Sequence, residues 1–222
     1  MKPQTNADTR RYNQSDLLIA LNKCLSVFFW VCVLSVFLVN SAVADVMHFQ
    51  IDPDASEISA TVDEPMSSIR GSAVGTFRVV SGDAYGDDAN VQGTGRLTIV
   101  LDAASYRSSS SFRDHAVKGS VLEAGSFPTI SFASTAVEDV AMVSKREGTA
   151  TIAGNLTLHG MARPIRMPVK ASIDAAGRLV VDGEVAFRYE QFGIKPPSLM
   201  FGAMTAGDVA TVKFHVVATR AQ

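Results

Sequence analysis

The chain has 222 residues, of which 47% are apolar, and its 20 basic and 22 acidic side chains give a net charge of −2. This apolar fraction, with 16 Gly and 8 Pro residues, excludes a disordered or collagen-like chain. A charge so close to zero argues against a module that binds nucleic acid by neutralising its phosphates.

The first 44 residues have the three parts of a secretory signal peptide. Four basic and two acidic side chains precede a largely apolar run of 16 residues, 24–39, which is followed by Ala42 and Ala44 with the spacing of an A-x-A cleavage site. The alternative is a membrane anchor, which takes about 20 apolar residues to cross the bilayer core. We therefore expect a signal peptide over residues 1–44, cleaved after Ala44, and a periplasmic or secreted protein.

Removal of this leader changes the composition of what remains. The mature chain, Asp45–Gln222, has 178 residues with 16 basic and 20 acidic side chains, and hence a net charge of −4. Both cysteines and the only tryptophan leave with the leader, so the mature domain has no disulfide. A domain of about 150 residues already buries roughly 68–70% of its unfolded surface. Residues 45–222 are thus long enough to form one domain by burial alone, and they contain no run that would span a membrane.

The mature chain is dominated by an alternation of apolar and polar residues with a period of two. Eight or nine such runs, among them residues 46–51, 97–101, 149–158, 179–189 and 209–217, are separated by clusters of Gly, Asp, Ser and Pro. This pattern predicts an all-β antiparallel sandwich or barrel, and runs near ten residues long favour an up-and-down barrel. The interior of an eight-stranded barrel either fills with side chains or holds one small ligand.

A single stretch of the mature chain has helical character. Ser111–Glu123 places Phe112 and Ala116 on one side, while Gly119 weakens the pattern. We expect one or two turns of helix here, on a connection between strands.

Signatures of catalysis and metal binding are weak. The histidines His48, His115, His159 and His215 are scattered without metal-ligand spacing. The serine run 108–111 stands near Asp114 and His115, but no G-x-S-x-G elbow accompanies it. We therefore predict no metal site, no catalytic residue and no enzymatic activity, with a hydrolase that uses His115 and a neighbouring serine as the hypothesis to exclude.

Four segments carry a resemblance to a known family. They are FQIDPDAS at 49–56, IRGSAVGTF at 69–77, the block from Phe112 to Phe132 with FRDH and FPTISF, and GNLTLHGMARP at 154–164. In these segments the chain resembles the YceI family of secreted bacterial proteins, also described as polyisoprenoid-binding. The resemblance implies an extended, eight-stranded, lipocalin-like antiparallel barrel whose apolar tunnel holds an isoprenoid lipid.

The resemblance also suggests which residues would contact such a lipid. The apolar tail would be lined by inward-facing side chains: Phe77, Leu97, Ile99, Phe112, Leu156, Phe187 and Phe192. The polar head group would be contacted by side chains of the loop-helix region: Arg107, Arg113, His115 and Lys118. For each of these residues, ordinary core packing or a solubilising surface charge is the competing interpretation.

The leading hypothesis is a periplasmic binder or carrier of an isoprenoid or similar long-chain amphipathic lipid. It requires no cofactor beyond a bound isoprenoid lipid or quinone, and it is compatible with a homodimer that covers the barrel mouth. The alternative is a structural or stress-related barrel with a filled core and no ligand. The two differ in whether the barrel interior contains a cavity.

Overall fold

The computed structural model describes residues 46–64, 71–87, 90–195, 198–199, 204–205 and 207–221. The predicted signal peptide, residues 1–44, lies outside this range. In chain order the strands are β1 (Val46–Ile51), β2 (Glu57–Glu64), β3 (Gly71–Asp87), β4 (Arg96–Ser108), β5 (Thr129–Ser144), β6 (Glu147–Leu158), β7 (Met161–Ile173), β8 (Leu179–Arg188), β9 (Ser198–Leu199), β10 (Met204–Thr205) and β11 (Val209–Arg220). The helices are α1 (Val91–Thr94), α2 (Ser111–Ala116), a π-helical turn (Val117–Val121) and a 3-10 turn (Tyr189–Phe192).

Eight of these strands close an antiparallel barrel in the order β2-β3-β4-β5-β6-β7-β8-β11. Closure is visible at Ala60 on β2, which pairs with Gly75 on β3 and with Val212 on β11, while Val212 pairs in turn with Val185 on β8. A closed sheet leaves no strand edge open to pairing with other chains. The predicted all-β fold, an eight-stranded antiparallel barrel with a short helical connection, is confirmed.

Strands β1 and β2 lie end to end in the same gap between β3 and β11. The break between them follows the Asp52-Pro53-Asp54 turn, where Oδ1 of Asp52 accepts hydrogen bonds from the backbone N–H groups of Asp54 and Ala55 at 3.0 and 3.2 Å. Beside the break, β11 is continuous and forms hydrogen bonds to both sides of it. The Val217 carbonyl accepts from the Asp52 N–H at 2.8 Å, and the Val217 N–H donates to Oγ of Ser56 at 3.0 Å. The long strands β3 and β11 therefore hold β1 in line with β2.

The alternation of strand directions gives the barrel two distinct ends. At one end lie α2 and the π-helical turn, the two-residue turn His159-Gly160 between β6 and β7, and the 3-10 turn; we call this the helical end. At the opposite end lies the tight hairpin between β5 and β6 at residues 144–147; we call this the hairpin end. The apolar residues that alternate along each strand point into the space between the two ends.

Candidate ligand-binding cavity

The barrel interior contains a cavity of about 150 Å³. All eight barrel strands contribute to its wall, for example through Ala60 on β2, Phe77 on β3, Phe132 on β5, Met167 on β7 and Phe214 on β11. The wall is built from apolar side chains and from Tyr189, and its lining surface is apolar throughout. An engineered apolar cavity of about this volume stays dry and binds benzene, so such a space suits an apolar ligand better than water.

Five of the seven residues predicted to line a lipid tail lie in the cavity wall. These residues come from four neighbouring or facing strands: Phe77, Leu97, Ile99, Leu156 and Phe187. Phe192 is completely buried outside the wall and packs edge-on against Phe187, with ring centroids 5.2 Å apart. Phe112 instead projects from α2 into solvent with 74% of its surface exposed. Strand alternation therefore brings five of the seven together, while Phe192 supports the wall from behind.

Other wall residues were not singled out from the sequence. Four of them occupy inward strand positions, and in each case a residue two positions away on the same strand also lines the cavity: Phe132, Met167, Val185 and Phe214. The period-two signal that found Leu97 and Ile99 applies equally to them. Tyr189 lies in the 3-10 turn after β8, where strand alternation gives no guide to direction.

Aromatic rings lie directly over glycines in the wall. A β-carbon at Gly183 would stand 2.4 Å from Cζ of Phe214, and one at Gly154 would stand 2.5 Å from Cζ of Phe132. Both rings line the cavity. The absence of a side chain at these glycines therefore lets each ring lie back against the wall and leaves the centre of the barrel open.

Residues of the helical end line one end of the cavity. Leu122, immediately after the π-helical turn, and Leu158, at the end of β6, both contribute to the wall. His159 and Gly160 have φ of 52° and 70°, the pattern of a type I′ hairpin turn. The His159 ring packs on Phe127 with centroids 4.3 Å apart, and its buried Nε2 lies 3.4 Å from Oε1 of Glu123 without forming a hydrogen bond to any described residue.

The predicted head-group contacts also lie at the helical end, but on its outer side. Arg107 and His115 are exposed, Arg113 and Lys118 are half-buried, and none of the four belongs to the cavity wall that the structure describes. Between them Asp114 is buried, and its Oδ1 accepts hydrogen bonds from both the hydroxyl and the backbone N–H of Ser108 at 2.7 Å.

The environment of Asp114 stabilises its charged form. The Ser108 hydroxyl contributes most to holding the pKa of Asp114 below its ordinary value; partial burial opposes this shift, while the Ser108 N–H and the positive charges of Lys118 and Arg107 reinforce it. The carboxylate therefore anchors α2 to the end of β4. Since the Ser108 hydroxyl donates to Asp114, and His115 points to solvent, these side chains do not form the serine–histidine pair that a hydrolase needs.

Metal-ligand clusters and membrane-spanning helices are both absent from the residues that the structure describes. Within these ranges, no group of three or more His, Cys, Asp or Glu side chains is placed to hold a metal ion. No helix there is long and apolar enough to cross a lipid bilayer.

Comparison with known proteins places this barrel in a family. Residues 49–218 match the model of the YceI-like domain. The chain belongs to the YceI family. Among its relatives, a UPF0312 protein of Pseudomonas putida (strain W619) is 30% identical over 169 residues, which cover 72% of this chain and 83% of that protein. A UPF0312 protein of Vibrio vulnificus (strain YJ016) is 37% identical over 92 residues, and the match spans only 46% of its length.

Solved structures share the same fold. BcnA of Burkholderia cenocepacia has a TM-score of 0.64 at 22% identity, with 76% of this chain and 99% of that chain covered. A polyisoprenoid binding domain from Saccharophagus degradans has a TM-score of 0.60 at 12% identity, with 78% and 98% covered. The predicted family is thus confirmed by sequence, and these structures confirm the barrel.

Proposed function

We propose that this YceI-family chain binds an isoprenoid or a similar long-chain amphipathic lipid inside its barrel, in the periplasm, after export and removal of residues 1–44. The observation that carries the proposal is the apolar cavity enclosed by all eight strands. Burying hydrocarbon contributes about 0.8 kcal/mol per methylene, or about 4 kcal/mol per five-carbon isoprene unit. A prenyl tail would therefore bind tightly without a polar contact in the interior.

The size of the cavity sets a condition on the ligand. At about 150 Å³ it takes a group the size of a benzene ring, which is close to one isoprene unit. A longer prenyl chain enters only if wall side chains move apart. Met167 is suited to this because its unbranched thioether side chain adapts to irregular spaces, and we expect Phe132 and Phe214 to rotate with it.

The role proposed here is binding rather than catalysis. Tail contacts are assigned to the five wall residues Phe77, Leu97, Ile99, Leu156 and Phe187. The Ser108 hydroxyl donates to Asp114, which anchors α2, and His115 on the same helix is exposed. Full retention of any measured esterase activity in His115→Ala would exclude the hydrolase hypothesis.

A titration with matched variants tests the proposal. The processed protein has no tryptophan, so quenching by a short-chain isoprenoid quinone is followed by tyrosine fluorescence, to which Tyr85, Tyr106 and the wall residue Tyr189 contribute. The part of the signal that Tyr189→Phe removes reports on the cavity wall. Ala60→Leu adds three carbon atoms to the wall, and we expect at least tenfold weaker quinone binding with no loss of thermal stability. Ala186→Leu makes the same change on the exposed outer face of β8 and should bind as the wild type does.

The outcomes separate the hypotheses. Equal quinone affinity in Ala60→Leu and Ala186→Leu would place the ligand outside the barrel and overturn the proposal. Failure of the wild-type protein to bind either an isoprenoid quinone or a polyprenyl alcohol would leave a structural or stress-related barrel that holds no lipid as the better account.

A further inference from the structure

We propose that the helical end of the barrel docks on an anionic lipid membrane, with Phe112 entering the headgroup region and the cations around it facing lipid phosphates. The starting observation is the exposure of Phe112, which at 74% is the highest among the large apolar side chains in the described ranges. An aromatic side chain of this size normally buries 150–250 Å² in a core or an interface. Such a ring left in solvent marks a contact that the isolated chain does not make.

The orientation of Phe112 is fixed by the packing of the helix. Asp114 is tied to Ser108, and Val117 packs against the barrel core. Phe112 and His115, spaced i and i+3, therefore share the opposite, exposed face. The hydroxyl of Ser110 caps the helix by accepting from the Arg113 N–H at 3.3 Å. Because both ends of α2 are anchored, the helix holds the Phe112 side chain in this outward direction.

The charge around Phe112 has the sign that anionic lipids attract. Residues 107–118 contain three cationic side chains and one anionic side chain, on a chain whose net charge is −2. The one anion, Asp114, turns inward to Ser108, while the cations Arg107 and Lys118 lie at the two ends of the segment. Each Lys or Arg near an anionic surface strengthens binding by about fivefold. An exposed aromatic ring flanked by cations is the arrangement of interfacial helices.

Other charged groups at this end have partners of their own. Arg188 pairs with Asp208 and lies near Glu190, and Glu123 lies beside His159. Arg163 donates to the backbone carbonyl of Gln191.

The hairpin end carries a rival surface. Met142 and Val143, 67% and 69% exposed, precede the exposed cations Lys145 and Arg146. The wall residue Val181 is in register with Met142 across β7 and β6, so the cavity lies within reach of this end as well. At the helical end, Leu122 lines the cavity and directly follows the π-helical turn. The two ends therefore differ in the exposed aromatic ring, which the helical end alone carries among the described residues at its tip, and Val143 serves as the control in the test.

Vesicle binding by the exported protein tests the proposal, after its N terminus has been checked by mass spectrometry. Flotation would use vesicles of phosphatidylcholine with and without an equal part of phosphatidylglycerol. We expect binding only to the anionic vesicles at about 0.01 M ionic strength, and its loss at about 1 M, where charges are screened beyond about 3 Å. Phe112→Ser should lower the partition coefficient about tenfold, and Arg107→Gln with Lys118→Gln about 25-fold. Val143→Ser should leave it unchanged.

Several results would overturn membrane docking. They are equal losses in Phe112→Ser and Val143→Ser, equal binding to neutral and anionic vesicles, or no vesicle binding at all. Membrane docking does not depend on the proposed ligand. Vesicle binding without quinone binding would refute the proposed function alone. A Phe112→Ser variant that binds quinone but has lost vesicle binding would separate the two roles.

Discussion

Replacing Gly183 with alanine tests whether the cavity depends on rings that lie over glycines. Gly183 faces the barrel interior on β8 and pairs with Phe214 on β11. A β-carbon at this position would stand 2.4 Å from Cζ and 2.8 Å from Cε2 of Phe214, and 2.9 Å from the Pro168 carbonyl oxygen. Carbon atoms pack best at about 3.5–4.0 Å, so the ring edge must move by at least about 1 Å. The cavity is the space into which it can move.

The cost follows from overpacking. Adding a methyl group to a packed wall costs about 1–3 kcal/mol, and removing a glycine from the unfolded chain returns about 0.4–1 kcal/mol. We expect the free energy of unfolding to fall by about 1.5 kcal/mol, which for a domain of this size lowers the melting temperature by about 3–6 °C. Because the ring then occupies part of the cavity, quinone affinity should fall as well.

Circular dichroism melting and the quinone titration measure both effects. Gly125→Ala is the matched control, since no atom lies within 4 Å of its added β-carbon and its φ is not positive; it should leave the melting temperature unchanged or raise it. Combining Gly183→Ala with Phe214→Leu removes the colliding ring atoms, so the two costs should not add. If the stability losses of Gly183→Ala and Phe214→Leu add strictly, or if Gly183→Ala melts at the wild-type temperature, the claim that the Phe214 ring depends on the space at Gly183 is refuted.

Further predictions concern the helical end. Asp114 has a lowered pKa, so its stabilising effect is complete above the ordinary pKa of an aspartate and is lost as pH falls through its lower folded-state value. Urea unfolding between about pH 7 and about pH 3 should therefore show Asp114→Asn less stable than wild type at neutral pH, with the difference shrinking in acid; a constant difference would contradict the role of the charge. His159→Val should lower the free energy of unfolding by about 1–2 kcal/mol, because a β-branched residue resists positive φ. His159→Asn suits a type I′ turn and should retain stability. Equal melting temperatures of the two variants would contradict this. Ser110→Ala removes the cap of α2 and should cost about 1 kcal/mol in the same melting assay, with no change if the cap is not formed.

The strands could be predicted from the sequence because burial has a period of two wherever one face of a sheet is covered. Leu97, Ile99 and Leu156 were placed in the wall by this rule, and the same rule covers Phe132 and Phe214. The closure of the barrel by β8 and β11 could not be derived in this way. Alternation specifies which face of a strand is buried, but not which strand is its neighbour.

The helical connection was anticipated, but the direction of its side chains was not. Phe112 shares a helical side with Ala116 in the sequence pattern and is predicted under the family resemblance to face inward, whereas the structure buries Asp114 on the inner side of α2. The two Ser108 donors decide the orientation, and they depend on a contact between the end of β4 and the helix that spacing alone does not show. Of the cations near Phe112, Arg107 on β4 is exposed, whereas Arg113 and Lys118 are half-buried.

Organic extraction of the exported, processed protein, followed by mass spectrometry, tests the central claim most directly. The account predicts an isoprenoid or similar long-chain lipid that co-purifies with the wild-type protein, is strongly reduced in Ala60→Leu, and is retained in Ala186→Leu. A wild-type protein that yields no such lipid, or equal lipid from both variants, would contradict the claim that the barrel interior is a lipid site.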